Sequence, residues 1–440
     1  MKVRKRENEF SLRKLLFYIL IYKASIEIVY IFLISPIYSY MNLDLNINIS
    51  KFILSNIYAF IIVLNSPKNK IAPSTYFFLI MQFFIITPML SYYWLNDMSS
   101  TYTLFLVISS LVVTLVSKIK LKPFTIKNRA AIITLRGIFI VYVLSTVYII
   151  FSRGGVDIRA LDFDSVYELR SEYNLVGFMG YLANWSAKVF CPFYLGYFYL
   201  QKNYKGVILV STLQVLMYLS FGNKAFLLSL GIIILNLIYV KRGKYIKEMS
   251  LTMSGLNLLS LAFSTFNITD ALQRAVPYRL VFIPAQIQYY YYEFFSDKSK
   301  LLFADNILGR IFSIENPFGK NISFIIGDLF YRTGAGINAN TGIFADAYAN
   351  GGFFLMILVS IIFGGLLAVL DASTTRIPIY MVVGALSYIM FVINDAPLLT
   401  TLITGGMFIM IIMLIILNSS LMFDKRNLKL ENISINENLI

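Results

Sequence analysis

Long apolar runs alternate with short polar links along almost the whole chain. Twelve runs stand out, at 14–35, 52–66, 76–94, 102–117, 132–151, 178–200, 207–220, 226–240, 250–267, 343–370, 378–393 and 402–421. They are apolar on every face and lack the strict alternation of a barrel strand. Most approach the roughly 20 residues that a helix needs to cross the hydrocarbon core. The pattern predicts an all-α polytopic membrane protein of about 12 transmembrane helices, folded as one domain over residues 1–421. The polar stretch 422–440 reads as a disordered tail. Two links are much longer than the rest, 152–177 and 268–342, and long links in compact proteins are commonly functional. Both mix aromatics with charges, unlike a disordered segment. Within the second, IPAQIQYYYYEFF (283–295) predicts an amphipathic helix. It would lie in the membrane interface, where Tyr is favoured, or cap the bundle.

Composition narrows the class. Of 440 residues, 58% are hydrophobic and 14% charged, against about 25% charged in a soluble domain, which excludes an ordinary soluble enzyme. There is no histidine and one cysteine, Cys191. Histidine acid–base chemistry, histidine metal sites and an intramolecular disulfide are therefore excluded. Basic residues set the orientation. With the N-terminus cytoplasmic, the inner segments carry 23 Lys and Arg and the outer links 12, seven of them in 268–342 alone. Both termini then face the cytoplasm. The net charge of +15 is accounted for by this bias and by anionic lipid. No inner segment is large enough to fold as a basic nucleic-acid-binding domain.

Charges inside apolar runs are costly and mark paired or functional positions. Lys23 and Glu27 stand four apart in the first run, which predicts a structural ion pair. Lys188 lies in WSAKVFCPF, Lys224 in FGNKAF and Asp346 in NTGIFADAYANGG. The first long link carries Arg153, Arg159 and Arg170 among five acids. A helix over 164–173 would place Asp164, Glu168 and Glu172 on one stripe, which needs nearby arginine or a bound partner. The second link carries Arg274 and Arg279, then Asp328, Arg332 and the Gly/Asn run 334–342. That run reads as a flexible linker or as a phosphate or sugar contact. With no Walker loop and no nucleotide-binding domain, ATP-driven chemistry by this chain alone is not expected. Arginines, lysines and a few carboxylates on one face suit a lipid-linked pyrophosphate. Arg170, Lys224, Arg274, Arg279, Arg332 and Lys188 would bind it, and Asp346 or Glu168 would take a proton from a sugar hydroxyl.

In this layout the chain resembles the O-antigen polymerase (Wzy) family of oligosaccharide repeat-unit polymerases. The resemblance rests on the twelve-run layout with enlarged third and fifth outer links, the arginines in both, FGNKAFLLSL, and NTGIFADAYANGGFFLMILVSIIFGG. Lys224 stands where the family often has Arg. The family's Arg-x10-Gly spacing is missing: no glycine lies eleven residues after Arg153, Arg159, Arg170, Arg274 or Arg279. The related ligases use a long-loop histidine, which this chain lacks. The resemblance implies a GT-C-like, metal- and cofactor-independent glycosyltransferase in a bacterial inner membrane. It would join undecaprenyl-pyrophosphate-linked oligosaccharides at the periplasmic face, with membrane lipid and a chain-length regulator as partners. A flippase for the same lipid-linked unit, or another twelve-span transporter, is the alternative; it would carry its key charges at mid-membrane.

Overall fold

A computed structural model describes residues 9–161, 177–331 and 336–421. The stretch 164–173 and the tail 422–440 lie outside them. Among the described residues the fold is helical, with two isolated β-bridges and no strand. Each of the twelve apolar runs is helical and differs from the expectation mainly at its ends. Six helices are long and apolar enough to cross a membrane: Leu12–Met41, Pro73–Leu95, Ser100–Ser117, Arg129–Ser152, Tyr204–Phe221 and Ile343–Ser373. Shorter apolar helices join them, among them Ile49–Asn65, Ile379–Val392 and Met407–Ser420. This is the fold class of a multi-pass helical membrane protein.

Local chemistry sets several helix ends. Asn48, Ser99 and Asn203 accept hydrogen bonds from the third residue onward and cap the following helices. Gly222, at φ 61°, closes Tyr204–Phe221. Four π-helical segments interrupt the α-helices: Tyr30–Ile34, Gln82–Ile86, Ser186–Phe190 and Arg274–Phe282. Each ends two residues before a proline, at Pro36, Pro88, Pro192 and Pro284. A proline ring clashes with the carbonyl four residues back and offers no N–H. A widened turn relieves the clash without ending the helix.

The chain divides into two compact units. The first comprises Met1–Ile119, Gly243–Ala368 and Met390–Thr400; the second comprises Lys120–Arg242, Val369–Ile389 and Thr401–Ile440. In the first unit Pro73–Leu95 is buried on all sides, as a helix apolar all round should be. Leu12–Val29 packs between it and Tyr245–Thr265. The predicted Lys23–Glu27 pair forms at 2.5 Å and is buried. Glu27 also accepts from Ser91 Oγ (3.0 Å) and Trp94 Nε1 (2.7 Å). Removing one partner strands a buried charge, so Glu27→Ala should cost about 3–5 kcal/mol. The double change Lys23→Met with Glu27→Leu should recover most of that. Melting of the detergent-purified protein checks this; an equal loss in the single and double variants would contradict the pairing.

The helix at 283–295 belongs to the packed alternative. Ile283–Ser296 buries Tyr289, Tyr290, Tyr291, Phe294 and Phe295 in the first unit. Tyr289 shares a hydrogen bond with Thr103 (2.8 Å), and Tyr290 stacks on Phe330 at 3.9 Å. Gln286 donates to the carbonyls of Met41 and Asn42 and accepts from Tyr331. In the second unit Asn128–Ser152 packs against Met407–Ser420 and Tyr204–Phe221. Ile149, Met217 and Phe226 are part of the core there.

Candidate functional site

A polar cavity of 220 Å³ lies within the first unit. Its wall gathers residues far apart in sequence, and each is brought there by an identifiable contact. Asp346 is the fourth residue of Ile343–Ser373 and faces the cavity. That helix breaks at Gly351 and Gly352, the latter at φ 66° and ψ −158°, a region open to glycine. The short first part, 343–350, therefore carries Asp346 and Asn350 as a separate piece. Asn350 donates to the Asp346 carbonyl (2.9 Å) and carboxylate (3.1 Å) and accepts from the Phe303 N–H (2.7 Å). The N–H groups of Leu301 and Leu302 bond to the Ala349 and Asn350 carbonyls. These contacts fasten 301–303 to the helix and deliver Asp305 and Asn306 to the wall.

Asp305 in turn accepts from the Ile322 N–H (2.6 Å) and from the Asn316 amide. Asn321 bonds to the N–H and hydroxyl of Ser323 and starts Ile322–Tyr331. Gly327 lies so close to 337 that a Cβ would sit 1.8 Å from the Ile337 carbonyl oxygen. This close crossing lets Ala339 N–H reach the Ser323 carbonyl (3.0 Å), while the Tyr291 hydroxyl donates to the Ala339 carbonyl (3.0 Å). Asn340 and Thr341 are held in the wall as a result. Gly342 also passes close to 394, where a Cβ would sit 2.5 Å from the Asn394 carbonyl oxygen. That contact adds Asp395 and Thr400.

The cavity thus presents three carboxylates, four side-chain amides and several hydroxyls, and among the described residues no Lys or Arg lines it. Carboxylates and amides pair well with a sugar's neighbouring hydroxyls, whereas three carboxylates oppose a phosphate. The volume corresponds to roughly seven waters at about 30 Å³ each, room for a sugar ring. Burial pushes the Asp305 carboxyl above the usual carboxylate range, against the lowering effect of the Ile322 N–H. A raised folded-state pKa means that Asp305 detracts from stability increasingly as pH rises through that pKa. Asp305→Asn keeps an acceptor for Ile322 and removes the charge. Its melting temperature should fall less than that of the unmodified protein between acid and neutral pH; parallel pH profiles would contradict this.

The predicted residues divide. Asp346 is in the cavity wall. Glu168, Arg170 and Arg332 lie outside the described residues. Arg274 and Arg279 are on the π-helical segment Arg274–Phe282 of the first unit, exposed and not among the cavity-lining residues. Arg274 pairs with Asp270 at 2.5 Å. Lys188 and Lys224 belong to the second unit. Lys188 Nζ lies 5.1 Å from the centre of the Tyr388 ring, and Lys224 is the first residue of Lys224–Lys241. In the first long link, Arg159 and Asp157 form the local pair expected of a solvated face, at 2.7 Å. Arg153 is buried, its guanidinium 4.1 Å from the centre of the Phe221 ring.

Asp305, Asn306, Asn321, Asn350 and Asp395 escape a reading of the sequence, as does Lys300. The Lys300 ammonium lies 4.0 Å from the centre of the Tyr348 ring and donates to the Phe295 carbonyl, beside the helix that carries Asp346. Fold and cavity together define a class, a multi-pass helical membrane protein with a carboxylate-rich polar cavity. No protein-family model, curated protein or solved structure matches the chain.

Proposed function

We propose that this protein is a metal-independent glycosyltransferase of the repeat-unit polymerase (Wzy) type. It would lengthen O-antigen or a related surface polysaccharide from undecaprenyl-pyrophosphate-linked oligosaccharides. The observation that carries the reading is the cavity: a sugar-sized chamber rich in hydroxyl-binding groups, with a carboxylate at its wall. Its lining residues fall within 291–323, 340–350 and 395–400. On the basic-residue bias, these segments lie at the periplasmic side of a twelve-span, GT-C-like chain in the inner membrane, with both termini cytoplasmic.

In this reading the cavity holds the terminal sugar of the acceptor repeat. Its hydroxyl oxygen attacks the anomeric carbon of the donor chain, and Asp346 takes the hydroxyl proton. The bond from that carbon to the pyrophosphate oxygen breaks, and undecaprenyl pyrophosphate leaves with the electron pair. In this reading the pyrophosphate lies outside the sugar chamber, away from its three carboxylates. Arg274 and Arg279, with Arg332, are the groups of the first unit proposed to offset the pyrophosphate's charge. Glu168 is the alternative base.

A flippase reading draws on one observation, the interrupted helix at Gly351–Gly352, since broken helices also form transporter sites. Deleting the gene separates the two. Loss of the polymerase should leave single repeats on the cell surface with no ladder on a gel. Loss of a flippase should leave no repeats outside, and an unchanged ladder would contradict both readings.

A further inference from the structure

The second unit holds a larger groove, of 630 Å³, between Asn128–Ser152 and the chain that runs from Cys191–Leu200 into Tyr204–Phe221. Its two ends differ chemically. The floor is aromatic and aliphatic. Phe139 packs edge-on against Tyr194 (4.9 Å) and Phe198 (5.1 Å), and the Tyr194 hydroxyl is committed to the Leu135 carbonyl at 2.8 Å. Gly206 permits the position of Phe198: a Cβ there would fall 2.5 Å from the ring. The other end is polar and cationic, with Arg136, Lys205 and Gln201.

Arg136 and Lys205 are both exposed, and among the described residues neither forms an ion pair. Arg136 lies eight residues after the start of Asn128–Ser152, whose other charged residue, Arg129, is in the first turn. Ile133 and Ile140, about one turn to either side of it, are exposed, as are Val141 and Leu144 further along. An arginine on a hydrocarbon-facing surface is costly unless its guanidinium reaches an anion or the interface. Helical side chains lean toward the N-terminus. Arg136 therefore leans toward the end that carries Lys127, Arg129, Lys202 and Lys205.

We propose that this groove binds an anionic phospholipid, its phosphate held by Arg136 and Lys205 and its acyl chain laid over Phe139, Phe198 and Leu209. One ligand then satisfies both ends. A soluble phosphate would leave the aromatic floor uncovered, and a neutral apolar molecule would leave the arginine fork without an acceptor. On the basic-residue bias this end faces the cytoplasm, where anionic lipid is the available partner.

Native mass spectrometry of the delipidated full-length protein tests the assignment, with phosphatidylglycerol, phosphatidylethanolamine and glycerol 3-phosphate titrated separately. Phosphatidylglycerol should bind most tightly. Arg136→Gln and Lys205→Gln should each weaken it about fivefold, and the pair about 25-fold. Both side chains are exposed, so melting in lipid-free detergent should not change. Leu209→Trp fills the floor without touching the charge and should also displace the lipid. Unchanged phosphatidylglycerol affinity in the double variant, or in Leu209→Trp, would overturn the site. So would glycerol 3-phosphate binding as tightly as the lipid, which would reassign the groove to a soluble phosphate.

Discussion

Asp346→Asn should lower polymer formation by about 10²–10⁴-fold, the usual worth of a positioned general base, and leave the amount and melting temperature of the protein nearly unchanged. The substitution is close to isosteric. The Asp346 carboxylate accepts from the Asn350 amide at 3.1 Å, and an asparagine oxygen can accept the same bond. What it cannot do is take a proton. Asp395→Asn alters the same cavity at an exposed position. It should raise the acceptor concentration needed for half-maximal rate more than it lowers the maximal rate. Rates measured with lipid-linked acceptor repeats distinguish the two. Normal turnover in Asp346→Asn together with a dead Asp395→Asn would move the base to Asp395.

Gly327→Ala should be nearly as damaging, by a different route. The added Cβ would stand 1.8 Å from the Ile337 carbonyl oxygen and 2.8 Å from its carbon. Both are backbone atoms, so no rotamer change relieves the clash. Residues 337–341 must move, and they carry Asn340 and Thr341 in the cavity wall. Overpacking of this kind costs about 1–3 kcal/mol, and a displacement of about 1 Å at a reacting site costs about 100-fold in rate. Gly365→Ala is the control, since nothing lies within 4 Å of a Cβ there. Parallel melting and chain-length measurements check the pair. A Gly327→Ala protein with a full-length ladder would show that this crossing does not shape the site.

The helices were legible because an apolar run buries its backbone polar groups most cheaply as helix, and each run the sequence displays is helical over most of its length. The π-helical segments were not read from the sequence, although each ends two residues before a proline. Asp346 was legible for a related reason, as a lone acid in an apolar run. The Gly/Asn run 334–342 was half legible: Asn340 and Thr341 do reach the cavity. Asp305 and Asn350 were not. They meet through hydrogen bonds between 301–303 and 349–350, and no local periodicity encodes such a contact. The sequence puts the arginines and Asp346 on one face; in the fold Arg274 is held by Asp270 four residues before it and does not line the cavity. Charge pattern marks a face, but tertiary packing decides which groups share a chamber.

The most direct measurement is reconstitution. The purified chain in lipid vesicles would be supplied on the outer side with undecaprenyl-pyrophosphate-linked repeat units, and both the glycan length and the released carrier would be followed. The expected result is a ladder of lengthened glycans with one undecaprenyl pyrophosphate released per added repeat, both lost in Asp346→Asn. Repeat units that cross the bilayer at unchanged length, with no carrier released, would contradict the polymerase and leave the transporter.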